Sequence, residues 1–278
     1  MAGLPGRKAF AWMAAPSLFF AVFSATSASA AGDLLVAPTC VILDGARGTE
    51  VILNNIGNEP ATYRISLELK RMLPDGSLED IDPEKADSHD ATTLGMISYA
   101  PRRVVLAPNQ PQAIRIGVRA PQGLPDGEYR AHMLFRAIPD ATPVAPTEKP
   151  REGVSIALTP IYGVTIPIIV RQGSLVATAA ISDPRLVRGK DGAALAFTLT
   201  RSGNRSVYGR IRVTRPGMDK PLLELRGIAV YAELSQRSVA LPLSPEVAAQ
   251  MPGPVKIEYL EDNDAGGGTI ASVQAVIR

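Results

Sequence analysis

Alternation of apolar and polar residues, interrupted at short intervals by clusters of Gly, Pro, Asn and Asp, is the main pattern of the chain after its first thirty residues. Runs rich in Val, Ile, Leu, Thr and Tyr with a period of two are typical of strands in β-sandwiches. The first half contains seven such runs: Leu34–Leu43, Glu50–Ile56, Ala61–Lys70, Arg103–Leu106, Gln112–Val118, Tyr129–Ile138 and Val154–Val170. The second half contains seven more: Leu175–Ile181, Ala194–Thr200, Val207–Val213, Leu222–Tyr231, Arg237–Leu241, Val255–Leu260 and Ile270–Ile277.

Two sets of seven strands predict an all-β protein with two immunoglobulin-like sandwiches. We place the first domain at residues 31–172 and the second at 173–278, with a hinge at Arg171-Gln172-Gly173. Pro245–Gln250 is the only helix-like piece, and it is short enough to be one turn. Pro74–Gly95 and Pro139–Gly153 are predicted to be irregular, the latter because it contains four prolines.

The first thirty residues have the organisation of a secretory signal peptide. Arg7 and Lys8 precede an apolar run from Ala9 to Val22, and Ala28-Ser29-Ala30 matches a cleavage site. No later run is long enough to span a bilayer, so we predict export without stable membrane insertion.

Composition and charge narrow the function classes. Residues 1–30 carry two basic and no acidic residues, so the 29 Lys and Arg of the chain fall to 27 after cleavage, equal to its 27 Asp and Glu. This balance argues against nucleic acid as a partner. Cys40 is the only cysteine, so stability must come from buried apolar cores and not from an internal disulfide. We expect Cys40 to be buried, because it alternates with apolar neighbours in a predicted strand.

A search for catalytic or metal-binding patterns finds none. His89 and His132 lie far apart in sequence and outside any metal-ligand spacing, so we interpret His132 as a packed or surface imidazole and His89 as solvated. The acidic cluster before Gly266-Gly267-Gly268 lacks the order of a calcium loop, and we interpret it as a hairpin tip. We therefore predict no enzymatic activity, no cofactor and no metal.

The most informative feature is the run Val154–Val170, in which every even position is apolar. Its 17 residues would span roughly 55 Å as a strand. A single sandwich cannot cover such a length, so its first part could project as an exposed edge that pairs with a partner strand. An ordinary core strand of a larger sandwich is the alternative, and the pattern alone leaves both open.

These features resemble the periplasmic pilus chaperones of the PapD type. The resemblance rests on 124–139, which reads LPDGEYRAHMLFRAIP, on the proline-rich loop and long strand that follow it, and on Val170-Arg171 at the end of that strand. Pro38–Gly45 and Leu53-Asn54-Asn55 add matches to the family's first and second strands. The resemblance covers residues 33–278 and is strongest from 99 to 171.

Such a resemblance implies two sandwiches in a boomerang and a periplasmic, non-enzymatic function. The partners would be pilus or fibre subunits, which receive the chaperone's long strand, and an outer-membrane usher, to which the subunits are delivered. The side chains donated to the subunit would be Val154, Ile156, Leu158, Pro160 and Tyr162. An interdomain network would join Glu128, Arg171 and Asp264.

One departure from the family concerns the basic pair that anchors the subunit's terminal carboxylate. The aligned positions here carry Cys40 and Pro167, neither of which can donate a charge-assisted hydrogen bond. Two other readings of the chain stay open. One is a secreted two-domain adhesion or binding module, although few aromatic residues are available for sugar stacking. The other is a hydrolase on a sandwich scaffold, for which no site can be assembled.

Overall fold

The computed structural model describes residues 34–44, 48–139, 161–190, 192–218, 220–263 and 267–278. Ala31–Arg278 forms one compact unit. Within it, the described residues build two β-sandwiches, each around its own apolar core. No helix among the described residues is long and apolar enough to cross a membrane.

The first part of the described chain contains nine strands in the two sheets of a sandwich, a two-stranded hairpin and one α-helix. In chain order these are β1 (Leu34–Ala37), β2 (Val41–Asp44), β3 (Thr49–Asn55), β4 (Ala61–Glu68), β5 (Lys70–Met72), β6 (Leu78–Asp80), α1 (Ser88–Met96), β7 (Ile97–Ala100), β8 (Arg103–Leu106), β9 (Pro111–Val118), β10 (Gly127–Ile138) and β11 (Gly163–Gln172). One sheet has the order β1-β3-β9-β7 and the other β2-β11-β10-β4-β8, while β5 and β6 form a separate hairpin. A 3-10 turn, Pro83–Lys85, precedes α1.

The second sandwich contains seven strands and one short helix. These are β12 (Ala177–Gly189), β13 (Gly192–Gly203), β14 (Val207–Thr214), β15 (Leu223–Val230), β16 (Gln236–Leu243), α2 (Pro245–Gln250), β17 (Gly253–Glu261) and β18 (Thr269–Ile277). Its sheets have the orders β12-β13-β16 and β15-β14-β17-β18. The helical turn predicted at Pro245–Gln250 is confirmed, and Ser244 caps it by accepting a hydrogen bond from the Val247 amide.

Strand order identifies both sandwiches as immunoglobulin-like. In the first sandwich, the sheet β1-β3-β9-β7 has the order of the A-B-E-D sheet of that fold. In the opposite sheet, the neighbours β11, β10 and β4 have the order of its G-F-C sheet. Tyr129, at the start of β10, donates its hydroxyl to the Pro125 carbonyl at 2.9 Å. This is the tyrosine corner that such sandwiches place at the start of the sixth strand. The predicted fold class is confirmed.

The first predicted strand, Leu34–Leu43, is two strands that belong to different sheets. β1 pairs with β3, whereas β2 runs parallel to β11 in the opposite sheet. Pro38 lies between them and has no amide hydrogen to continue a ladder, so the chain crosses the core at that point. Both pieces still bury alternate side chains, Val36 in β1 and Val41 and Leu43 in β2.

The segment Pro74–Gly95, predicted to be irregular, contains β6, the 3-10 turn and most of α1. The helix escaped prediction because its residues, rich in Thr, Ser, Asp and Gly, give little apolar periodicity. Asp87 caps it by accepting a hydrogen bond from the Asp90 amide at 2.8 Å. Buried Thr93 and Met96 tie α1 to the sandwich, so tertiary packing stabilises a helix of low propensity.

Candidate functional site

Strand β11 is the described part of the long alternating run. It pairs antiparallel with β10 and parallel with the edge strand β2, so it is an inner strand of the five-stranded sheet. Its even-numbered side chains face the core, and Ile166, Ile168 and Val170 are all buried. In this part of the run, the apolar side chains at even positions therefore point into the core.

Cover by the core ends at the start of β11. Val164 is partly buried against the core, whereas Tyr162, the next even position toward the N-terminus, is 48% exposed. Ile161 is also exposed, at 49%. The other predicted donor side chains, Val154, Ile156, Leu158 and Pro160, lie outside the described residues, as do the first part of the predicted strand and nearly all of the proline-rich segment.

Glu128 and Arg171 lie together at the junction of the two sandwiches. They are cross-strand partners on β10 and β11, and Arg171 Nε lies 3.4 Å from Glu128 Oε2. The Glu128 side chain is 1% exposed. Asp264, the third member predicted for this network, lies outside the described residues.

The contact of this pair with the second sandwich is made through Ser206, which immediately precedes β14. The Ser206 amide donates to Glu128 Oε2 at 3.0 Å, and the Ser206 hydroxyl donates to Glu128 Oε1. The same hydroxyl accepts a hydrogen bond from the Ala232 amide at 3.0 Å, and Arg171 donates to the Ser206 carbonyl at 3.4 Å. One buried carboxylate thus fixes a backbone segment of the second sandwich against the first.

A second ion pair, Arg130 with Glu233, also joins the sandwiches. Arg130 donates two hydrogen bonds to the Glu233 carboxylate, at 2.8 and 2.7 Å, and its guanidinium lies 3.8 Å from the centre of the Tyr231 ring. Glu233 also accepts a hydrogen bond from the Met72 amide at 2.9 Å. Burial opposes ionisation of Glu233, but the hydrogen bonds and charge of Arg130 outweigh it, so the pKa of Glu233 lies below its usual value.

Apolar side chains fill the junction beside these charges. Met72 and Ile169 of the first sandwich pack against Tyr208, Ala229 and Tyr231 of the second, with Cys40 and Ile42 partly buried at the edge. Cys40 was predicted to be buried within a strand, but it is half-buried and lies just before β2, because β1 ends at Ala37, before Pro38. The junction is therefore a packed interface with charge pairs at one side.

His132 is a buried imidazole on β10 in this interface. It is 1% exposed and meets the Tyr231 ring edge-on, with the ring centres 5.9 Å apart. Neither ring nitrogen has a hydrogen-bond partner among the described residues. Burial, and then the charges of Arg130 and Lys70, lower the pKa of His132 to about 3, so the ring is neutral at physiological pH. The interpretation of His132 as a packed imidazole is confirmed.

The two positions aligned with the family's basic anchor lie next to this imidazole. Pro167 is the cross-strand partner of His132, and the parallel pair Ile168–Val41 places Cys40 beside Pro167. This row across β10, β11 and β2 is thus neutral in all three strands. In the described part of the chain, no group of three or more His, Cys, Asp or Glu side chains is arranged to hold a metal ion.

Sequence reasoning missed Ser206, Arg130 and Glu233. Ser206 and Glu233 sit beside turns in a second sandwich whose docking the sequence does not specify, and neither belongs to a motif. Arg130 lies on the same side of β10 as Glu128, His132 and Arg136, so its charge alone did not distinguish it from its neighbours.

No protein-family model matches the chain, and no curated protein sequence matches it. Several solved structures of chaperones are similar to it. The YadV chaperone is 14% identical, with 88% of this chain and 99% of that chain covered and a TM-score of 0.43. The CupB2 chaperone of Pseudomonas aeruginosa is 14% identical, with 88% and 100% covered and a TM-score of 0.43.

A third similar structure is the SafB chaperone of Salmonella enterica, solved in complex with the SafA pilin. It is 18% identical, with 88% of this chain and 96% of that chain covered and a TM-score of 0.43. The assignment of the two sandwiches rests on the strand order of this chain and not on these similarities.

Proposed function

We propose that this protein is a periplasmic, non-enzymatic chaperone that binds fibre subunits by donating a strand and delivers them to an outer-membrane usher. The donated side chains would be Val154, Ile156, Leu158, Pro160 and Tyr162. The signal-peptide pattern and the ordered resemblance to PapD-type chaperones support this function. The proposed domain limits are 31–172 and 173–278, after removal of residues 1–30.

The observation that carries the proposal is the loss of core cover along one face of the long run. Even positions of β11 face the core, yet the core covers this face from Val164 onward and leaves Tyr162 48% exposed. In the sequence before Tyr162, the even positions 154–160 are also apolar, as they are from Val164 to Val170 in β11. Apolar side chains beyond the end of a core favour burial in a partner, by pairing of an added strand.

The junction would set the angle at which the two sandwiches receive a subunit. Glu128, Ser206 and Arg171 form one link between the sandwiches, and Arg130 with Glu233 forms another. Buried charge networks fix geometry better than they add stability, which suits a rigid cleft. In the proposal, Asp264 joins Glu128 and Arg171.

The proposed client is held without the family's carboxylate anchor. Cys40 and Pro167 occupy the aligned positions, and the neighbouring His132 is neutral. Affinity must then come mainly from the donated strand, where each fully buried aliphatic side chain contributes roughly 1.5–3 kcal/mol before the cost of ordering. A client with a blocked C-terminal carboxylate should therefore bind as well as one with a free carboxylate.

The test compares two double variants of the tagged full chain in its native host. Ile156→Asp with Leu158→Asp places charges on the apolar even face, and Ser155→Asp with Ala157→Asp places the same charges on the odd face as the matched control. We expect a stoichiometric, small, β-rich exported protein to co-purify with wild type and with the control, and to be lost from the even-face variant. Equal recovery with both variants would refute strand donation, and recovery of the chain alone during fibre production would favour the secreted binding module.

A further inference from the structure

Three arginines lie side by side across the exposed face of the five-stranded sheet. Arg103 on β8 is the cross-strand partner of Arg64 on β4, and Arg64 is the cross-strand partner of Arg136 on β10. All three residues are exposed. Neighbouring strands are about 4.8 Å apart, so this arginine row places three positive charges along roughly 10 Å.

Within the described residues, no carboxylate compensates the charges of the arginine row. None of its three guanidinium groups has a hydrogen bond or ion pair there, whereas the side chains of Arg115 and Arg212 pair with carboxylates. Like charges directly opposite each other on a sheet are destabilising, and Arg64 has one on each side. This repulsion costs stability, and one nearby carboxylate would reduce it. The uncompensated positive charges therefore indicate that a partner neutralises them.

The rows on either side of the arginines carry no charge. One neighbouring row consists of the cross-strand partners Val105, Thr62 and Ile138, and Val105 is 68% exposed. On the other side lie Ser66, Leu134 and Thr165. A basic row between partly apolar rows matches a protein surface better than a lipid headgroup layer or a polysaccharide, because those ligands offer no apolar side chains to the flanking rows at the depth of the charges.

We propose that the arginine row docks an acidic helical segment of a partner protein. Carboxylates at positions i, i+4 and i+7 of a helix lie on one face at about 0, 6 and 10.5 Å along its axis, which matches the spacing of the row. The guanidinium groups can each take a carboxylate in a paired, planar contact. The partner's apolar residues flanking the acidic ones would pack on the uncharged rows. The arginine row lies on the exposed face of the sheet, whereas the even positions of β11 face the core, so variants of the row and variants of the even positions test the two proposals separately.

Binding is tested on the full mature chain with a synthetic helical peptide as the probe. The peptide carries Glu at i, i+4 and i+7 with Leu at flanking positions, and its control carries Gln in place of Glu. We expect the wild-type chain to bind the Glu peptide at least about tenfold more tightly than the Gln peptide at low salt, with the difference shrinking in 0.5 M NaCl. Absence of binding to the Glu peptide, or equal binding of both peptides, would overturn the proposal.

Two triple variants separate the row from net charge. Arg64→Gln, Arg103→Gln and Arg136→Gln together should reduce affinity for the Glu peptide about tenfold or more. The matched variant, Arg115→Gln with Arg188→Gln and Arg226→Gln, removes three exposed charges elsewhere and should bind like wild type. An equal loss of affinity in both variants would show that the net charge of the chain determines binding, and it would refute a specific role for the arginine row. Row-dependent binding to anionic phosphatidylglycerol vesicles without binding to the peptide would refute a protein partner.

Thermal unfolding supplies a readout that does not depend on the probe. If the row is strained by repulsion, Arg64→Gln should raise Tm by about 2–4 °C relative to Arg64→Lys, which keeps the charge. Added salt should raise the Tm of wild type more than that of Arg64→Gln. An unchanged or lower Tm for Arg64→Gln would show that the row carries no strain, and would remove the argument for a neutralising partner.

Discussion

Replacing Glu128 by Gln tests whether a buried carboxylate holds the two sandwiches together. The substitution keeps the size of the side chain but removes the charge that Arg171 and Ser206 contact. Both carboxylate oxygens of Glu128 accept hydrogen bonds from Ser206, one from its amide and one from its hydroxyl. The amide nitrogen of Gln would therefore replace one of these acceptors, and the charge attraction between residue 128 and Arg171 would be lost.

The expected loss follows from the burial of the pair. Removing one partner of a buried ion pair costs about 3–5 kcal/mol, which for a protein of this size corresponds to a fall in Tm of roughly 6–20 °C. The matched control is Glu50→Gln, which breaks the Arg115–Glu50 pair on the surface of the same sandwich, where the side chains are 83% and 50% exposed. An exposed pair of this kind contributes at most about 1 kcal/mol.

Urea unfolding followed by both far-UV circular dichroism and tyrosine fluorescence measures the effect. We expect the Glu128→Gln transition to shift to lower urea and to divide into two steps, because the sandwiches lose the link through which they unfold together. The Glu50→Gln transition should stay close to wild type. A Glu128→Gln loss below about 1 kcal/mol, with a single unchanged transition, would refute the role of this carboxylate in the junction.

Two further changes probe other parts of the structure. The pKa of His132 is about 3 in the folded chain and about 6.5 when unfolded, so the folded state binds fewer protons between these values and stability is complete above pH 6.5 and falls as pH falls. The free energy of unfolding should drop by about 2 kcal/mol between pH 7.5 and pH 5, as measured by urea titration, and His132→Leu should abolish that part of the drop. Gly173 has φ +80°, and a Cβ there would overlap the Asp126 carboxyl, so Gly173→Ala should cost about 1–2 kcal/mol. Gly95→Ala, where α1 leaves open space for the methyl group, should instead stabilise by about 0.5–1 kcal/mol, and an equal effect of both would contradict the assigned backbone conformations.

Most strands could be predicted because each contains its own signal. The period of two in Arg103–Leu106 reflects one buried and one exposed face, and it can be recognised in the sequence without knowing which strand lies next to it. The exceptions have specific causes. Helix α1 has weak apolar periodicity and is held by burial of Thr93 and Met96, and the strand at Leu34–Leu43 divides because a proline lets the chain change sheets.

The sequence by itself determined the all-β class and the apolar even face of the long run, since these depend on residue type and local period, whereas Glu128 and Arg171 were named only because the resemblance to PapD-type chaperones implies a network there. Only the tertiary structure decided which distant groups meet them. Ser206 contacts Glu128 across 78 residues of chain, and Glu233 meets Arg130 across 103. The arginine row likewise depends on the register of β8, β4 and β10, because a shift of one residue would turn each side chain to the other face. Contacts between segments so far apart follow from sheet register and from the docking of the two sandwiches, which no local pattern specifies.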